Sequence, residues 1–147
     1  MTPKKRANLS AKAMWDNDLA SKWVGIELVE VDEGYAEMTL TVAEHHCNGH
    51  GIGHGGITFL LADSAFAFAC NSRNQATVAM HNVISFLHPT KLGDQLTAKA
   101  REKMLSGKNG IYDVTVRNQK NQLISEMRGM SRTIKGNLFV EEGSEQK

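Results

Sequence analysis

Between Ile57 and Cys70 the only polar side chains are Thr58, Asp63 and Ser64, so one carboxylate sits in the middle of an apolar run. Such a group is costly unless it is paired or used. On that residue alone a buried ion pair and a functional acid are about equally good readings. The segment just before it shifts the balance. Five of the 13 glycines and two of the 6 histidines lie between Gly49 and Gly56. Glycines at 49, 51, 53, 55 and 56 allow close backbone approach and lead straight into the apolar run. If that run is a helix, its first amides have no internal acceptor and can hold an anion or a forming oxyanion. With Gly55 at the helix start, Asp63 lies about 12 Å further along the axis. One helix cannot bring both groups to a single reacting carbon. Joint action predicts a two-fold dimer with two such helices antiparallel, Gly55 of one chain facing Asp63 of the other.

Other chemistry-bearing residues are weaker candidates. His46, His50 and His54 recur every four residues beside His45 and Cys47, which on a helix would form a metal-binding stripe. Asn48, Gly49, Gly51 and Gly53 argue against a helix there, so no metal is expected. Ser64 has no nucleophile-elbow setting, and Cys70 reads as a small core residue. Asn48 could hold a water or a substrate carbonyl, or simply form an Asn-Gly turn. Lys91, Lys99, Arg101, Lys103 and Lys108 cluster in later turns and strands, where some could meet a phosphorylated tail.

Patterning supplies the elements that would position these groups. Asn8 or Ser10 could cap a helix carrying Met14, Trp15, Leu19 and Trp23 and stopping at Gly25. Ile26–Val31 and Tyr35–Val42 alternate as strands around the turn Asp32-Glu33-Gly34, and a loop follows from His45 to about Gly55. Gly56–Asn71 is hydrophobic all round, as a buried helix is, and too short to span a bilayer. Thr77–Leu87, Gln95–Leu105, Ile111–Arg117 and Leu123–Ile134 read as strands joined by turns at 106–110 and 118–121. The tail at 141–147 is polar and expected to fray. Two strands, a buried helix and an antiparallel meander define an α+β class.

The averages bound the remaining possibilities. With 147 residues, 41% hydrophobic and 22% charged, the chain is expected to form one globular domain with its core at about 15–135. Seventeen basic against sixteen acidic residues leave a net charge of +1, which argues against a nucleic-acid binder. Two cysteines and no leader-like apolar run suit a cytoplasmic protein.

The combination Asn48-Gly49-His50-Gly51, His54-Gly55-Gly56 and Leu61-Ala62-Asp63-Ser64-Ala65-Phe66-Ala67-Phe68-Ala69-Cys70-Asn71 resembles the PaaI-type acyl-CoA thioesterases of the hot dog fold. Phe86-Leu87-His88-Pro89, Gly93-Asp94-Gln95-Leu96 and Tyr112-Asp113 extend the likeness over about Trp15 to Ile134. The resemblance implies a curved antiparallel sheet around one long helix, with chains paired into a homodimer and dimers into a homotetramer. It implies hydrolysis of an acyl-CoA, with aromatic acyl groups such as hydroxyphenylacetyl favoured, and no separate cofactor. Carried over, Asp63 is the general base or nucleophile and the Gly55 amide polarises the thioester carbonyl. Asn48 orients water or substrate, and His54 sits beside the oxyanion site. Gly56, His81 and Asn82 are implied to border the substrate, and Lys91, Lys108, Asn109 and Gly110 to hold coenzyme A. Two rival readings use the same residues. One is a hydratase or dehydratase with His50 or His54 paired to Asp63; the other is an acyl-CoA-binding protein without catalysis.

Overall fold

The computed structural model describes residues 1–143, so most of the expected tail lies outside the described residues. Ten elements follow in order, beginning with helices α1 (Pro3–Trp15) and α2 (Leu19–Val24) and strands β1 (Glu27–Asp32) and β2 (Tyr35–Thr41). A single 3-10 turn at Glu44–His46 precedes the long helix α3 (Gly55–Cys70). Strands β3 (Thr77–Phe86), β4 (Gln95–Ser106), β5 (Asn109–Arg117) and β6 (Leu123–Thr133) complete the chain. All six strands form one antiparallel sheet in the order β1-β2-β4-β5-β6-β3, with α3 packed against one face. This is the hot dog arrangement of the expected α+β class.

Alternation decides which face of the sheet meets α3. Ala36, Met38 and Leu40 of β2, Leu96, Ala98 and Ala100 of β4, and Tyr112, Val114 and Val116 of β5 are all buried. Ala36 pairs with Ala100 and Met38 with Ala98, so three alanines and one methionine line the sheet beneath the helix. Ala62, Ala65 and Ala69 of α3 are also fully buried, and short residues on both layers allow close approach. Phe66 and Phe68 fill the flanks, each burial contributing about 1.5–3 kcal/mol. On α3 the residues that are not buried include Gly56, Phe59, Leu60, Asp63 and Ala67, which trace one open stripe.

The N-terminal region departs from expectation. There are two helices, and the first begins earlier than Asn8 or Ser10, both of which lie inside it. Thr2 caps α1, accepting from the Lys5 N–H at 3.2 Å, and Pro3 sits at the first helical position, where its missing donor does no harm. Asp18 caps α2, and Gly25 ends it with a left-handed φ of 94°. Leu19 and Trp23 are 76% and 83% exposed, so they do not share an apolar face with Met14 and Trp15. Ser21 instead joins α2 to α3 through a 3.0 Å hydrogen bond with Ser64. At the other end Arg6 and Glu141 form a 2.8 Å ion pair, which ties down the start of the expected frayed tail.

Candidate active site

The glycine-rich segment is a loop closed by its own hydrogen bonds. Cys47 and Gly53 form an isolated antiparallel bridge, and the Asn48 N–H donates to the Ile52 carbonyl at 2.8 Å. Asn48 Oδ1 accepts the His50 N–H at 2.9 Å, the bond of an Asx turn. Its carbonyl thus shapes the loop, while its side chain also borders a cavity of about 250 Å³. Gly53, Gly55, Thr58, Phe86 and Pro89 are among the other residues lining it.

His46 and His54 both hold backbone groups in and beside this loop. His46 is 3% exposed; its Nδ1 accepts the Ala43 N–H and its Nε2 donates to the Val24 carbonyl at 2.8 Å. Both ring nitrogens are therefore spent. His54 is the N-cap of α3, its Nδ1 accepting the Gly56 N–H at 2.8 Å. That bond consumes the Gly56 amide and leaves the Gly55 N–H as the helix-start donor with no acceptor among the described residues. A Cβ built on Gly55 would lie 3.3 Å from the Phe86 ring, so that ring packs close to the backbone at Gly55. Among the described residues no three His, Cys, Asp or Glu side chains gather closely enough to hold a metal ion.

Asp63 lies two turns along α3 on the open stripe and does not border the Gly55 cavity. Its Oδ1 accepts from Asn82 Nδ2 at 2.8 Å. Burial raises its pKa above the ordinary carboxylate value, and the Asn82 bond works against that rise. Neither His50 nor His54 bonds to it. The chain thus pairs Asp63 with Asn82 and Asn48 with Gly55, in two separate places.

The remaining expected residues are dispersed. His81 lies on the opposite sheet face from Asn82, along a groove of about 670 Å³ with Val83, Asp113, Arg128 and Met130. Lys91 is exposed in the turn after Pro89, its N–H bonded to Asp94. Lys108 and Asn109 lie in the β4–β5 hairpin, beside Cys70 and Arg73 at the far end of α3. Gly110 is packing: a Cβ there would lie 2.7 Å from Ser131 Oγ and 2.9 Å from Tyr112. Burial pushes the Cys70 thiol up to about 12, so it is a core residue and not a nucleophile.

Sequence reasoning missed Phe86 and Thr90 as parts of the loop site. Phe86 shares the inward face of β3 with Asn82 and Ile84, a pattern that alternation counted from Asn82 reveals. Thr90 holds Gly53, accepting its N–H at the main-chain carbonyl at 2.9 Å.

Comparison with known proteins gives a consistent result. The family model described as "Thioesterase superfamily" matches residues 50–125. Acyl-coenzyme A thioesterase PaaI of Escherichia coli K12 is 43% identical over 132 residues, 90% of this chain and 94% of that one. Human acyl-coenzyme A thioesterase 13 is 34% identical over 77 residues, 51% of this chain and 55% of that one. The solved structure of E. coli PaaI, from the phenylacetic acid degradation operon, superposes with a TM-score of 0.91 at 41% identity, covering 92% of this chain and 99% of that one. The smu.793 protein of Streptococcus mutans, solved bound to acetyl CoA, gives a TM-score of 0.73 at 26% identity over 77% and 90% of the two chains. A free helix-start amide, a carboxylate further along the same helix, and these likenesses over nearly the whole fold lead to one assignment: the chain is an enzyme of the thioesterase superfamily.

Proposed function

We propose that the chain hydrolyses acyl-CoA thioesters, with aromatic acyl groups such as hydroxyphenylacetyl preferred, at sites shared between two antiparallel α3 helices of a homodimer. The observation that carries this reading is the open stripe of α3: the unpartnered Gly55 N–H and the Asp63 carboxylate lie about 12 Å apart along one helix axis, exposed to whatever covers that stripe. A second α3 laid antiparallel over it brings each Gly55 to the other chain's Asp63. The edge strand β3 supports the same pairing, since it bonds only β6 and exposes Val78, Met80, Val83 and Phe86. Lys91 and Lys108 lie at opposite ends of α3 within one chain, and the same pairing draws them toward a single ligand. The acyl-CoA assignment draws on the E. coli and human relatives and on the acetyl CoA in the S. mutans structure.

In this mechanism the Gly55 N–H donates to the thioester carbonyl. Asp63, ionised, takes a proton from water as the water oxygen attacks the carbonyl carbon, or attacks that carbon itself to form an anhydride. The carbonyl oxygen becomes an oxyanion on the Gly55 amide, and its collapse breaks the C–S bond and releases CoA thiolate. In the first route the thiolate takes up the proton Asp63 holds; in the second, water then opens the anhydride to give the free acid and restore the Asp63 carboxylate. His54 holds the helix start in place through the Gly56 N–H it caps.

A thiol-release assay over aliphatic and aromatic acyl-CoAs tests the activity; no hydrolysis of any of them rejects it. Subunit mixing tests the sharing. Asp63→Asn and Gly55→Pro chains, each inactive alone, should regain roughly a quarter of wild-type activity when refolded together in equal amounts, because half the dimers then hold one intact site. No recovery, with mixed dimers present, would place the whole site in one chain.

A further inference from the structure

Strand β3 has one more residue than its ladder with β6 has places. Thr77, Val78 and Ala79 pair with Thr133, Arg132 and Ser131, then pairing resumes with His81 opposite Met130, leaving Met80 as a bulge. Alternation counted from the buried Thr77 would turn His81 toward α3 and Asn82 away from it. The bulge reverses this. His81 joins the outer groove, and Asn82 faces the helix and reaches Asp63. Bulges beside active sites characteristically re-aim a side chain in this way.

The seat of the Asn82 amide is unusual at its other end. Asn82 Oδ1 is buried and has no donor among the described residues. It lies opposite Gly129, where a Cβ would come within 2.9 Å of both that oxygen and the Phe66 ring. The amide thus occupies room that the missing side chain at Gly129 leaves. A buried carbonyl without a donor is a standing cost, which a leucine of similar size would not carry. Only the donor end of the amide has a partner, and that partner is Asp63.

We propose that Asn82 is a positioning residue for the reaction, its amide holding the Asp63 carboxylate in one orientation with Oδ1 engaged and Oδ2 free to act. This rests on Asp63 being the acting carboxylate. The same bond favours the ionised form against burial. No other group in the described residues shares that task. Arg128 and Asp113 pair with each other on the outer face, Lys22 lies over the Trp15 ring, and Ser64 is bonded to Ser21. The other titratable group coupled to Asp63 is Cys70, two turns along α3.

The experiment is the pH dependence of kcat and kcat/KM for Asn82→Leu and Asn82→Ala, with melting curves, beside Asp63→Asn. Removing the donor should move the acid limb to higher pH by about one unit and lower the plateau kcat roughly tenfold. Asn82→Leu should melt no lower than wild type, since it also removes the orphaned carbonyl. An unchanged acid limb and plateau in both variants, with Asp63→Asn inactive, overturns the role of Asn82 alone. Loss of activity only in proportion to loss of folded protein overturns it too. An active Asp63→Asn variant overturns this inference together with the assignment of Asp63.

Discussion

Thr90 occupies the space that a side chain at position 53 would need: the Gly53 N–H donates to the Thr90 carbonyl at 2.9 Å, and a Cβ on Gly53 would run into the Thr90 hydroxyl. The loop bearing Asn48 is therefore hung on the segment after β3 by a contact that tolerates only glycine. Gly53→Ala should displace the loop and lower kcat/KM by roughly 10–100-fold. Thr90→Ala removes the hydroxyl, so the double variant should recover part of that loss in the same steady-state assay.

Asp63 sets stability against activity. Burial raises its pKa above 3.8 in the folded chain, so the fold holds the proton to higher pH than the unfolded chain does. The stability from this group is complete below about pH 3.8 and is lost as pH climbs through the folded value. Activity needs the ionised form and rises over that same window. Asp63→Asn should abolish turnover yet melt higher than wild type at pH 7, with the gap closing as pH falls toward 4. Thermal melts at several pH values check this.

The Gly55 amide and the Gly55 backbone shape can be separated. Proline is accepted at the first position of a helix but carries no N–H. Gly55→Pro should keep the helical circular dichroism and lose about 100–1000-fold in kcat. Gly55→Ala keeps the donor and adds a methyl about 3.3 Å from the Phe86 ring, a contact that ring can relieve by a small shift. It should cost less than tenfold. Equal losses in the two variants would point to crowding and not to the amide.

Asn71 closes the joint between α3 and β3. Its Nδ2 donates to the Ala67 and Thr77 carbonyls and its Oδ1 accepts the Thr77 N–H, each at 2.9 Å. Asn71→Ala removes the partner of the buried Thr77 N–H and carbonyl, while the Ala67 carbonyl keeps the backbone N–H of residue 71, and should destabilise the fold by about 2–4 kcal/mol in denaturant titrations. Since the same joint sets where β3 runs beside α3, the surviving folded protein should also show a reduced kcat.

Much of this molecule was legible in its residue pattern. The alternation of β2 and β5, the apolar continuity of α3 and the turn residues of the hairpins each express one periodicity, and each element stands where its period places it. The glycine cluster and Asp63 were legible because both break their surroundings. What escaped depended on counting or on long-range partners. The break after Trp15 hides within residues compatible with one helix, and Thr2 caps from in front of a proline. His54 carries no sign that its ring serves the backbone. Asn82 was expected to border the substrate, and its bond to Asp63 follows from the Met80 bulge, which no local propensity announces.

That bulge also has a bearing on how the chain can change length. β3 carries slack of one residue, taken up at Met80. Losing Met80 or His81 would draw in the slack and leave Asn82, Ile84 and Phe86 on the face they now occupy. Losing a residue just beyond Asn82 would draw it in from the other side and bring His81 opposite Gly129, an imidazole in place of an amide. A single codon deletion is thus either silent or a change of chemistry beside Asp63, according to the side of Asn82 on which it falls.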